Sequence, residues 1–115
     1  MNSLELARDV VESIEEKMGT SILLLDLTGI SIVASYFVVA TGSNGRQLKA
    51  MARAVMDLGG QKRKTRLGDL DEQSMSGWVL VDLGDVIVHL FMDTQREYYG
   101  LEELWVKGNV LLSVQ

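Results

Sequence analysis

Two apolar runs, WVLV at residues 78–81 and VIVHLF at residues 86–91, flank Asp82-Leu83-Gly84-Asp85, a pattern that points to a β-hairpin. A two-residue turn at Leu83-Gly84 sets Asp82 opposite Asp85, with Gly84 supplying a positive φ. Val81 then faces Val86, Leu80 faces Ile87, Val79 faces Val88 and Trp78 faces His89. Because side chains alternate along a strand, Val79, Val81, Val86, Val88 and Leu90 share one face, which reads as core. The other face carries Trp78, Leu80, Asp82, Asp85, Ile87 and His89. A large aromatic, an imidazole and two carboxylates around a small apolar centre have the make-up of a protein interface. The competing reading buries Trp78 under a helix with its indole N–H satisfied. A one-residue slip of register would exchange the faces.

Composition narrows the classes of chemistry. A chain of 115 residues is expected to form one domain, residues 1–115, burying roughly two thirds of its unfolded surface. There is no cysteine, which excludes a thiol nucleophile and any cysteine-based zinc or iron–sulfur site. One histidine excludes metal sites built on two or three imidazoles. No apolar run approaches the roughly 20 residues of a membrane span, and no basic-then-apolar signal pattern opens the chain. No membrane role is expected, and the reading is cytoplasmic: a bacterial cytosol, with a processed organellar chain looking alike. The net charge of −5 argues against general affinity for nucleic-acid phosphates and for a basic partner surface.

Along the chain, Leu4, Ala7, Val10, Val11, Ile14 and Met18 recur at helical spacing, with Asn2 and Glu5 as a capping pair and Gly19 as a stop. Residues 21–27 (SILLLDL) read as a buried strand followed by a turn at Thr28-Gly29, and residues 35–41 (SYFVVAT) as a second strand. The turn at residues 42–45 (GSNG) precedes a helix whose stripe is Leu48, Met51, Ala52, Val55 and Met56, ending at Gly59-Gly60. After the hairpin, Thr94 and Glu97 have capping-box spacing for a short helical segment, and Leu101, Leu104 and Trp105 share a helical face. Residues 110–114 read as an edge strand or a frayed tail. No repeat or linker interrupts the chain.

Little here supports catalysis. The GSNG turn presents backbone N–H groups at a helix start and could hold an anion, but it lacks a P-loop's lysine and hydroxyl; N-capping by Ser43 or Asn44 is the plainer reading. Asp69 and Asp71 are spaced to hold a divalent cation on a strand, yet sit beside serine and glycine, where a solvated loop is expected. Asp82 and Asp85 flank a turn, where aspartate commonly bonds its own backbone. Neither metal nor catalytic residues are assigned. The basic run Lys62, Arg63, Lys64 and Arg66 could touch RNA phosphate, although such a loop is more often solvated.

Four blocks together resemble one family: YFVVATG at residues 36–42, Arg46-Gln47-Leu48, WVLVDLGDVIVHLF at residues 78–91 and REYYGLEELW at residues 96–105. They are similar to the ribosomal silencing factor (Iojap-like) family, over almost the whole chain. The chain departs from the family pattern at Ser35, where members often carry aspartate, and at Asp71-Glu72, where Glu-Gly is common. The resemblance implies an α/β (α+β) single domain: a mixed sheet of about five strands, two main helices and short C-terminal helical segments, in a nucleotidyltransferase-like topology without the catalytic carboxylates. It implies a translational repressor, not an enzyme, that binds the large ribosomal subunit through its fourteenth protein and sterically blocks joining of the small subunit. It also implies a homodimer when free, and no cofactor or small-molecule substrate.

The expected partner-binding residues are Trp78 with Leu80 as the apolar anchor, Asp82, Asp85 and Glu102 as carboxylates for lysine or arginine, and His89 as a hydrogen-bonding group beside the ring. Tyr98 and Tyr99 add amphipathic rings, one of them expected in the core, while Trp105 is expected to lock the last helix to the sheet. Two alternatives stand beside this reading. One is a nucleotidyltransferase-like enzyme, motivated by topology and by Gly42-Ser43 after a strand; the other is a homodimeric adaptor using the same hairpin face.

Overall fold

The computed structural model describes residues 2–32, 34–60, 67–94, 96 and 109–114. Helix α1 (Ser3–Glu16) starts where Asn2 Oδ1 accepts the Glu5 backbone N–H at 2.8 Å, the capping pair expected from sequence. It turns Leu6, Ala7, Val10, Val11 and Ile14 inward. Met18, expected to extend that stripe, is instead exposed and takes the left-handed turn, with φ 67°. Gly19 serves close packing: a Cβ there would lie 2.4 Å from Ile14 Cγ2 and 2.9 Å from Met51 Sδ.

Strand β1 (Thr20–Asp26) leads through a turn, in which Asp26 Oδ1 accepts the Thr28 N–H and Gly29 has φ 82°, into β2 (Tyr36–Gly42). Helix α2 (Gly45–Gly59) follows, capped by Asn44, whose Oδ1 accepts the Gln47 N–H at 2.8 Å. Then come a 3-10 turn (Leu67–Asp69), α3 (Leu70–Ser76), the strands β3 (Trp78–Asp82) and β4 (Val86–Met92), and β5 (Asn109–Val114). The segment around Asp69 and Asp71 is thus helical rather than the expected solvated loop. Buried Leu70 and Ser74 seat it, and its Asp71 and Glu72 favour the first turn. The tail is the edge strand that was one of its two readings.

The five strands lie in the order β3-β4-β2-β1-β5, with β2 parallel to β4 and every other pair antiparallel. This mixed sheet matches the expected fold class. Residues of α1, α2 and α3 form one core with Ile22, Leu24, Val38, Ala40, Val79, Val81, Val86, Val88 and Leu90. The opposite face carries a second cluster of Leu25, Leu27, Val39 and Phe91, with Leu23, Phe37 and Trp78 packed against it.

The hairpin differs from expectation in register. Trp78 pairs with Phe91, Val79 with Leu90, Leu80 with His89, Val81 with Val88 and Asp82 with Ile87, a two-residue displacement from the expected pairs. Leu83 is the reason. It continues the inward series of Val79 and Val81 and is fully buried, so the turn must pass beyond it, closing where the Leu83 N–H meets the Val86 carbonyl at 2.9 Å. A displacement of two preserves the parity of each strand side chain, which is why the two faces stand as expected except at Asp85, now a turn residue. Leu83→Ala should therefore cost about 2–5 kcal/mol, the penalty of a core leucine. Chemical denaturation checks this; a loss under about 0.5 kcal/mol, the range of an exposed turn residue, would contradict the register.

Candidate functional site

Strand β3 is an edge strand, and its even-numbered residues face away from the helices. Trp78 is half-buried, Leu80 is 37% exposed, and Asp82 follows about 13 Å beyond Trp78 at the strand rise per residue. The indole stacks on Phe91, its cross-strand partner, with centroids 5.1 Å apart at 24°. It also lies tilted beside His89, at 6.0 Å and 32°, and its Nε1–H donates to His89 Nδ1 at 3.3 Å. The sequence pairing of Trp78 with His89 thus reappears as a diagonal contact between neighbouring strand positions.

His89 is only 6% exposed, so the hydrogen bond expected beside the ring is made inside the protein. Phe37 meets it edge-on at 4.9 Å, and burial pushes its pKa down to about 4. The two turn carboxylates part company. Asp82 Oδ1 accepts the Gly84 N–H at 2.9 Å while staying on the Trp78 face. Asp85 turns toward the helices, where its Oδ2 accepts the Ser3 hydroxyl at 3.0 Å and its carbonyl accepts the N–H groups of Ser35 and Tyr36. Trp78, Leu80 and Asp82 therefore form a strip, with His89 beneath it and Asp85 apart. Tyr98, Tyr99, Glu102 and Trp105 lie outside the described residues, as does the basic run at residues 62–66.

Several positions not singled out in the sequence join the elements around this strip. Gln73 of α3 accepts the Leu80 N–H through Oε1 at 2.9 Å, occupying a donor of the edge strand. No sequence signal marks it, because α3 buries only Leu70 and Ser74 and shows no helical period. Gln47 accepts from the Ser43 N–H and donates to the carbonyls of Lys17 and Met18, tying the end of α1 to the start of α2. Arg96 donates to the Ser21 carbonyl and to Thr41 Oγ1, bracing the end of the sheet that carries Trp78. Two of the blocks that carry the family resemblance thus supply joints of the fold.

The GSNG turn is accounted for by capping. Beside it, a groove of about 450 Å³ is lined by Gly45, Arg46, Lys49, Asp71, Ser74 and Met75. There Lys49 pairs with Asp71, and this hydrogen-bonded charge holds the Asp71 carboxyl below its usual range. Among the described residues no three His, Asp or Glu side chains gather in a way that could hold a metal ion. None of the described helices is long and apolar enough to cross a membrane.

The fold is a small α/β domain that presents Trp78, Leu80 and Asp82 as a strip at a sheet edge. Residues 1–114 match the model of the family described as "Ribosomal silencing factor during starvation". The chain is 38% identical over 107 residues to the ribosomal silencing factor RsfS of Bacillus subtilis, covering 91% of this chain and 88% of that one. A crystal structure of a Chromobacterium violaceum protein superposes with a TM-score of 0.81 at 32% identity, covering 99% of this chain and 96% of that one. A mouse protein named for mitochondrial assembly of the ribosomal large subunit is 31% identical over 72 residues, 61% of this chain and 32% of its own length. The chain belongs to the ribosomal silencing factor family, whose description is one of regulation and not of catalysis.

The buried histidine makes stability depend on pH. An unfolded chain binds a proton at this imidazole as the pH falls through 6.5, whereas the folded protein resists until about pH 4. The contribution is thus complete above 6.5 and is lost between 6.5 and about 4, on the order of 3 kcal/mol in all. Urea midpoints should fall from about pH 7 to 5, and His89→Asn should flatten that limb. A wild-type midpoint constant over this range would show that His89 is not buried in its neutral form.

Proposed function

We propose that this protein represses translation by binding the large ribosomal subunit through its fourteenth protein and sterically blocking the small subunit. The observation that carries this is the Trp78–Leu80–Asp82 strip: an aromatic anchor and an exposed leucine on an edge strand, ending in a carboxylate, on a chain of net charge −5. Membership of the silencing-factor family supports a ribosomal target, and a relative named for assembly of the large subunit is consistent with that half of the ribosome. Occlusion needs no turnover. It needs an anchor that buries well, with charges that steer it to a basic surface.

In this reading Trp78 and Leu80 fill an apolar recess on the ribosomal protein, Asp82 faces its lysines or arginines, and His89 supports the ring from below. Asp85 and Glu102 add acidic charge, and of Tyr98 and Tyr99 the one outside the core extends the apolar contact. Residues 62–66 make a peripheral contact to ribosomal RNA. The free protein is a homodimer and works in the bacterial cytosol, where the ribosomes are.

Trp78→Ala should keep the fold by circular dichroism and weaken cosedimentation with purified large subunits by at least about tenfold, as loss of an interface anchor does. It should relieve the block on subunit joining in parallel. A folded variant that binds and blocks like the wild type would overturn this assignment of the face.

A further inference from the structure

Two facts about His89 oppose each other. Its Nδ1 accepts the Trp78 indole N–H, which leaves the imidazole proton on Nε2, and Nε2 is buried with no hydrogen-bond partner among the described residues. A buried donor without an acceptor destabilises a fold. Leucine in this place, among Phe37, Val39, Leu80 and Phe91, would carry no such cost. A polar group kept at the expense of the core is commonly kept for function. What this one supplies is an acceptor under Trp78.

We propose that His89 is a positioning residue for docking: it satisfies the Trp78 indole N–H within the protein, so that the anchor meets its partner already oriented and with no donor left to pair. The inference rests on reading the Trp78 strip as the ribosome-facing surface. A tryptophan buried at an interface ordinarily needs an acceptor for its N–H, and a ring that must be ordered on binding loses affinity to entropy. Here both requirements are met before contact. The indole is stacked on Phe91, while His89 is fixed between Phe37, edge-on at 4.9 Å, and Phe91, nearly parallel at 6.2 Å.

The ionisable side chains on this face, among the described residues, are Asp82 on β3 and Arg96, which is held by Thr41 of β2; β4 contributes only His89 itself. Burial keeps the imidazole neutral at pH 7, so the acceptor is present wherever ribosomes work.

The test compares binding of the labelled full chain to purified large subunits for the wild type, H89L, H89N, W78F and the W78F/H89L pair. H89L should weaken binding roughly tenfold, the effect of burying an unpaired donor. H89N, whose amide oxygen can stand where Nδ1 does, should bind like the wild type. In the W78F background, with no N–H to satisfy, H89L should cost nothing further. Wild-type binding by H89L, or an equal loss in the W78F background, would overturn the proposal. If H89L does not fold, the wild-type indole N–H resonance that disappears in W78F decides: protection from solvent exchange supports the proposal, and exchange at the rate of an exposed indole overturns it. Loss of binding by Trp78→Ala with H89L unaffected would sink the positioning role alone. Normal binding by Trp78→Ala would sink the docking reading, and this inference with it.

Discussion

Seven residues of β2, from Tyr36 to Gly42, run parallel to seven of β4, from Val86 to Met92, and this central pairing organises the molecule. Parallel neighbours cannot be joined by a tight turn, so the chain must leave the sheet and return. It does so through α2 and α3, which cover one face together with α1. Before re-entering as β4 it lays down β3 antiparallel to it, and β3 therefore ends at the sheet edge with Trp78, Leu80 and Asp82 on the side away from the helices. The position of the candidate docking strip is a consequence of that crossover.

The two sides of the sheet are built to different rules. The helix side is aliphatic, with valines of β3 and β4 interlocked with Leu48, Met51, Val55 and Leu70. The other side adds rings to its aliphatic residues, with His89 in ring contact with Phe37, Trp78 and Phe91, and Trp78 stacked on Phe91. Aliphatic packing stabilises through area removed from water. Aromatic packing adds directional preferences that fix how a ring is presented, which suits a surface required to hold one shape before a partner arrives.

Much of this was legible in the sequence, because it depends on local signals. The cap at Asn2, the helix stripes and the alternation along residues 78–91 each follow from spacing alone, and the division of the hairpin into a core face and a mixed face stands. Register was not legible. Whether Leu83 is a turn residue or a core residue depends on the volume waiting beneath it, which no local pattern records. Helix α3 escaped for a related reason: only Leu70 and Ser74 are buried along it, too few to show a period. In the site, Trp78, Leu80 and His89 were found as a group, but the separation of Asp82 from Asp85 follows from Ser3 and the β2 backbone, far away in the chain. The blocks resembling the silencing-factor family were recognisable without knowing what they do; the structure gives Gln47 and Arg96 the role of joints between elements.

In the function proposed above, one face of the sheet builds the protein and the other meets the ribosome. Hydrogen–deuterium exchange with and without saturating large subunits tests it most directly. Slowed exchange is expected at residues 78–82 of β3, with α1 and α2 unchanged. Protection confined to α1 and α2, with β3 exchanging as in the free protein, would contradict it.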